Sequence, residues 1–328
     1  MTGDLWCQKP YYSLNAYCKN TFGEKLYKVS IDAGFTCPNR DGTLDTRGCI
    51  FCSSGGSGEF ASPFRIGENP EPAFHQAYLD GIASISGKSA AKRYIVYFQA
   101  YTNTYGPVSY LDRLYRLALN EPSCAGISIA TRPDALPDEV IKLLDRLRKE
   151  YTPKFVWVEL GLQTIHERTA AFIRRGYPLS CFAKSLQKLH KADIPVITHV
   201  ILGLPGETIS DILDTITYLN QAPVSGIKLQ LLHILKGTDL GKLYEKSPEI
   251  LTINNLELYL DTLITCITHL RPDIVIHRLT GDAKRSLLLA PAFSSDKRNL
   301  LNSLHRKMRD TDAYQGKFYQ TEAAICKT

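Results

Sequence analysis

Apolar positions along this chain switch repeatedly between two periods. Short runs of dense or alternating apolar residues predict strands over 25–32, 93–99, 126–131, 155–160, 195–204, 226–232 and 274–279. Between them the apolar residues fall at helical spacing. Phe74, Ala77, Tyr78, Gly81, Ile82 and Ile85 predict a helix over 70–86, and Leu111, Leu114, Tyr115 and Ala118 one over 109–120. Val140, Ile141, Leu144 and Leu147 predict a helix over 137–150, which begins on a proline. Further helices are expected over 180–192, 208–220, 252–270 and 297–309, the last with Asp296 as N-cap. Residues 1–24 read as an aromatic-rich lead-in. Strand and helix alternate with short connections, which calls for parallel strands joined by right-handed crossovers. Periodicity leaves two architectures open, a doubly wound open sheet and a barrel. No linker or repeat divides the chain.

Composition narrows the class. The 328 residues, 44% of them hydrophobic, suffice for one large α/β core. No apolar run reaches the ~18 residues of a membrane helix. The first ten residues lack the basic-then-apolar pattern of a secretory signal. Nine cysteines, an odd and mostly scattered set, suit a reducing cytoplasm. Cys124, Cys181, Cys266 and Cys326 read as buried or incidental thiols. The net charge of +6 is uneven, since residues 281–310 hold seven Lys/Arg against three acids. Such an excess suits either a phosphate backbone or a solvated helix face.

Candidate chemistry concentrates in Cys37–Cys52, where three cysteines are spaced C-x11-C-x2-C directly after the first strand. Structural zinc sites usually have four protein ligands; the fourth would have to come from Cys7, Cys18 or a histidine. A disulfide is the other plain reading. An iron–sulfur cluster held by three thiolates keeps one iron open for chemistry. Phe51, beside the last cysteine, could pack on a nucleotide-like ligand.

The loop resembles the cluster loop of radical S-adenosylmethionine (SAM) enzymes. Its long first gap departs from that superfamily's common C-x3-C-x2-C and is similar to the branch containing the elongator catalytic subunit. The resemblance spans roughly residues 25–235, with further likeness to 282. It implies a partial (β/α)6 TIM-type barrel with the site at the strand C-termini. The expected organisation is a lead-in over 1–24, a core barrel over 25–250 and a C-terminal extension over 251–328 carrying a basic helix.

The resemblance also implies site residues. Cys37, Cys49 and Cys52 would hold a [4Fe–4S] cluster. Thr102 and Asn103 stand in place of a glycine-rich motif that binds the SAM amino group, although the glycines are absent. Glu159 would accept from the SAM ribose hydroxyls, with Gln163 beside it, and Arg175 would pair with the SAM carboxylate, Arg174 being the alternative. Gly203 and Leu204 lie in a segment similar to the adenine-binding region. His199 reads as a core histidine. Lys228, Gln230, His233, His277, Arg278 and Asp282 could face substrate.

The blocks 9–15, 32–42, 98–105 and 278–282 look like a small bacterial group implicated in wobble-uridine modification of tRNA. The implied reaction converts carboxymethylaminomethyluridine to aminomethyluridine by hydrogen abstraction, with electrons from a ferredoxin or flavodoxin. Lys297, Arg298, Arg306, Lys307 and Arg309 would contact the tRNA. Two alternatives stay open: a radical SAM enzyme on a small molecule, and a zinc-stabilised RNA-binding protein.

Overall fold

The computed structural model describes residues 6–56, 58–86 and 91–320. In chain order the elements are α1 (Leu14–Phe22), β1 (Tyr27–Asp32), β2 (Ser62–Pro63), α2 (Pro70–Ser86), β3 (Tyr94–Phe98), α3 (Val108–Asn120), β4 (Cys124–Thr131), α4 (Asp138–Glu150), β5 (Phe155–Gln163), α5 (Glu167–Phe172) and α6 (Leu179–Lys191). They continue with β6 (Val196–Leu202), α7 (Ile209–Gln221), β7 (Gly226–Leu231), β8 (Ile234–Leu235), α8 (Asp239–Lys246), α9 (Leu256–His269), β9 (Val275–Arg278), β10 (Leu288–Ala290) and α10 (Lys297–Asp310). Several helices end where their sequence says they should. Ser13 caps α1, which stops at Gly23 with a left-handed backbone. Thr208 and Asp211 form a capping box on α7.

Eight strands form one parallel sheet in the order β2-β1-β3-β4-β5-β6-β7-β9. The six strands expected of the barrel stand at its centre, with β2 and β9 added at the edges. The sheet is strongly curled. Strands lie about 4.8 Å apart, so a flat sheet would separate β3 from β7 by about 19 Å. Yet Lys228 of β7 donates to the Tyr97 hydroxyl of β3 at 3.1 Å, and Lys28 of β1 reaches Glu159 of β5. The sheet is therefore a partial barrel enclosing a lumen.

The two faces divide by residue type. Val96, Phe98, Ile127, Ile129, Val158 and Leu160 point outward into the main core, against Leu111, Leu114, Leu144, Leu147, Phe182 and Leu186 of the surrounding helices. The opposite parity faces the lumen. At the strand N-termini Ile95, Trp157 and Ile197 pack with Cys18 of α1 and Leu26. The α1 aromatic Tyr17 meets Trp157 edge-on. This helix plugs the lower end of the barrel. It is tied to the far end of the chain: Ser13 bridges Ile276 of β9, and buried Gln315 accepts from the Tyr12 N–H while donating to the Arg271 and Ile274 carbonyls. No described helix is long and apolar enough to cross a membrane. Cys326 lies outside the described residues.

Candidate functional site

The upper end of the lumen opens into a cleft of about 260 Å³. Cys37, Cys49, Cys52 and Phe51 line one wall, and Thr102, Glu159, Gln163 and Arg175 line the floor and the facing walls. The loop bearing the cysteines arches from β1 across the mouth. Asn39 anchors it by donating to the Arg174 and Arg175 carbonyls at 2.7 and 3.2 Å. Gly176 makes room for that anchor, since a Cβ there would lie 2.5 Å from Asn39 Oδ1. Ile50 continues the seam, its N–H donating to Ile173 and its carbonyl accepting from Leu240.

The donor set suits a cluster. Asn39 Nδ2 lies 3.5 Å from Cys49 Sγ, and Arg132 Nη1 4.0 Å from Cys37 Sγ, the kind of N–H contact that thiolate sulfurs accept. Burial pushes the Cys49 thiol up to about 12 and raises Cys52 as well. These thiols stay protonated until a metal displaces the proton. Among the described residues no three His, Cys, Asp or Glu side chains converge to hold a single ion. A cluster of several irons instead gives each thiolate its own iron. Cys18, a possible fourth zinc ligand from sequence, sits in the plug at the opposite end. All eight described cysteines are free thiols.

Beneath the cysteines lies a charged layer. The Glu159 carboxylate receives four donors: Lys28 and Ser128 on Oε1, Lys228 and His199 on Oε2. Burial opposes its ionisation, but Lys228, Lys28 and His199 outweigh burial and hold it well below the usual carboxylate range. Burial likewise lowers Lys228 well below an ordinary lysine, Glu159 pulling the other way. Burial pushes His199 down to about 4.

This arrangement revises the parts expected from sequence. A carboxylate has about four lone-pair sites, and all four of Glu159's are taken, leaving none for a ribose hydroxyl. The Arg175 guanidinium donates to the Leu162, Thr164 and Tyr177 carbonyls and touches Glu167. It braces the loop after β5, with little donor capacity left for a ligand. Asn103 is fully buried and donates to the Ala100 and Ala130 carbonyls, so it too is a brace. Leu204 packs under the cysteine loop with Ile50 and Ile173 instead of lining the cleft, and the neighbouring Gly203 takes a left-handed backbone with φ +84°. Arg174 pairs with Asp239 at 2.7 Å.

Thr102 does line the cleft, and its buried hydroxyl has no hydrogen-bond partner. Just before it, Ala100 and Tyr101 hold φ of +81° and +57°. Non-glycine residues thus adopt the left-handed backbone that the missing glycines would take readily. Such residues cost of order 1–3 kcal/mol each and gather at functional sites. Arg132, unassigned from sequence, chelates Asp134 at 2.9 and 2.7 Å and lies over the Tyr177 ring at 4.8 Å. The Arg-Pro-Asp run carried that signal, but it also reads as a plain strand exit.

The basic helix is less available than its composition suggests. Lys307 pairs with Glu257 and Asp261, each at 2.7 Å. Lys297 pairs with Asp282, which also holds Arg278. Arg298, Arg306 and Arg309 are exposed.

Comparison with known proteins places this geometry. A profile described as the radical SAM superfamily matches residues 46–219, and one described as a radical SAM C-terminal domain matches residues 224–310. The chain is 39% identical over 321 residues to the uncharacterized protein YtqA of Bacillus subtilis, covering 95% of this chain and 94% of that one. A shorter stretch of 116 residues is 29% identical to the threonylcarbamoyladenosine tRNA methylthiotransferase MtaB of B. subtilis, covering 35% of this chain and 25% of that one. Among solved structures, the Elp3 protein of Methanocaldococcus infernus superposes with a TM-score of 0.63 at 14% identity, covering 88% of this chain and 64% of that one. Three thiols on one loop above a curled parallel sheet, in a chain matched along most of its length, make this protein a member of the radical SAM superfamily, whose cofactors are a [4Fe–4S] cluster and S-adenosylmethionine.

Proposed function

We propose that the protein is a tRNA-modifying radical SAM enzyme that removes the carboxymethyl group of a carboxymethylaminomethyluridine at the wobble position, leaving aminomethyluridine. The observation that carries the tRNA assignment is the match to a tRNA methylthiotransferase in a chain whose cleft opens on a basic surface. In this reading Cys37, Cys49 and Cys52 hold the cluster, and Phe51, Thr102 and Gln163 flank SAM. Bound together, reduced cluster and SAM supply a hydrogen-abstracting carbon radical. The chain's own residues do the rest. Arg175, Asn103 and Arg132 fix the loops that carry the ligands. The Glu159 layer closes the lumen beneath the cleft and excludes water. Electrons come from a reduced ferredoxin or flavodoxin in the cytoplasm.

Mass spectrometry of tRNA nucleosides tests the reaction. A deletion strain should accumulate the carboxymethylaminomethyl form and lack the aminomethyl form, and an unchanged nucleoside profile overturns the assignment. Anaerobically purified protein should carry about four irons and absorb broadly near ~400 nm. Cys37→Ala, Cys49→Ala or Cys52→Ala should each abolish this, whereas Cys124→Ala should not. Stoichiometric zinc without iron would overturn the cluster.

A further inference from the structure

The cleft continues past the barrel mouth. A groove of about 510 Å³ adjoins it, and the two share Phe60, His233 and Asp282 as lining residues. Phe60 is 58% exposed at this junction, an aromatic ring turned largely toward solvent. Lys284, Arg285 and Lys297 line the groove, and Asp282 is its one acid among the described lining residues. That acid is already engaged by Arg278 and Lys297, so the exposed Lys284 and Arg285 leave the groove cationic. At the junction His233 Nε2 is buried and without a hydrogen-bond partner.

An exposed aromatic face combined with cations along one groove is how proteins bind single-stranded nucleic acid: bases stack and phosphates are neutralised. A duplex would need the cations alone. A base entering the cleft also brings its neighbours, whose bases and phosphates must rest at the mouth. We infer that Phe60, Lys284 and Arg285 form a nucleotide subsite for the residue adjoining the modified uridine, Phe60 stacking its base and the two cations meeting its phosphates. This subsite rests on the tRNA reading above, and it is separate from the exposed arginines of α10.

The test is filter binding of an anticodon stem-loop RNA with an unpaired wobble uridine, using anaerobically purified holoprotein at several salt concentrations. Phe60→Ala should weaken binding about fivefold or more with an unchanged salt slope, because stacking releases no counterions. Phe60→Trp should retain the affinity. Lys284→Glu with Arg285→Glu should weaken binding and lower the salt slope by roughly one to two. All three positions are at the surface, and matching melting curves verify folding. Wild-type affinity in both the Phe60→Ala and the double-Glu variant overturns the subsite and leaves the tRNA reading standing. No binding of the stem-loop by the wild type overturns both. Equally tight binding of a polyglutamate peptide assigns the groove to acidic peptides and also overturns the subsite.

Discussion

Basic side chains occupy two contrasting settings in this protein. In the lumen, Lys28 and Lys228 have side chains 17% and 4% exposed and share the fully buried Glu159. On α10, Arg306 and Arg309 stand in solvent, and Lys307 pairs with acids that are themselves largely exposed. The chemical groups are the same, and the surrounding medium differs. Water screens and solvates the outer set, so each charge there contributes little to stability and acts chiefly over distance. The inner set has lost its water, so each charge must be matched by a particular partner. Charge that is cheap to place can be spread along a surface; charge that is costly fixes a geometry.

The largest effect should come from breaking the inner set. Glu159→Gln takes the counter-charge from Lys28 and from the buried Lys228, and breaking a buried pair typically costs about 3–5 kcal/mol. A denaturant titration reads this directly. Adding Lys228→Met to Glu159→Gln should recover part of the loss, because it removes a buried amine left without its partner. A double variant less stable than the single would mean that Lys228 supports the lumen by packing alone.

Acid should sharpen the contrast next. Burial holds His199 and His233 down to about 4 and His277 well below an ordinary histidine. The unfolded chain binds these protons near pH 6.5 and the folded one does not, so stability is retained above that pH and lost as pH falls from about 6.5 toward 4. Melting temperatures at pH 7 and 5 check this, and His199→Gln should reduce the drop.

The smallest effect belongs to the outer set. Arg298→Glu, Arg306→Glu and Arg309→Glu together should change stability by about 0.5 kcal/mol or less per site. If α10 flanks bound tRNA, the same variant should modestly flatten the salt dependence of binding. An unchanged slope would show that α10 is only a solvated face.

What could be read from the sequence follows the same division between local and distant. Helix α2 and α3 and the strand before α3 were legible because their apolar spacing is a local property. Helices α1 and α8, which were not, are nine and eight residues long, too short for periodicity to stand out from the surrounding loop. The paired β8 and β10 are two and three residues, held by a partner some fifty positions away. At the site, the spacing of Cys37, Cys49 and Cys52 is local and pointed to a metal. Glu159 announced itself as a charge in an apolar strand, but its partners did not. Lys28 and Lys228 meet it only because the sheet curls, and that curl is a property of all the strands together. Ala100 and Tyr101 misled in the opposite sense: lacking glycine, they gave no sign of the left-handed turn they adopt.

The clasp at the lower end of the barrel has a consequence for how the chain is made. Residues near position 12 are secured by Gln315, 303 positions later. During synthesis the segment around Tyr12 emerges 303 residues before its partner. Until then Phe155 and Trp157, which stack at 4.0 Å on the lumen side, lie at an end of the sheet that has no secured plug. Contacts of such long sequence separation form late, and exposed apolar surface on a half-made chain invites association. The seating of α1 is thus expected late in folding.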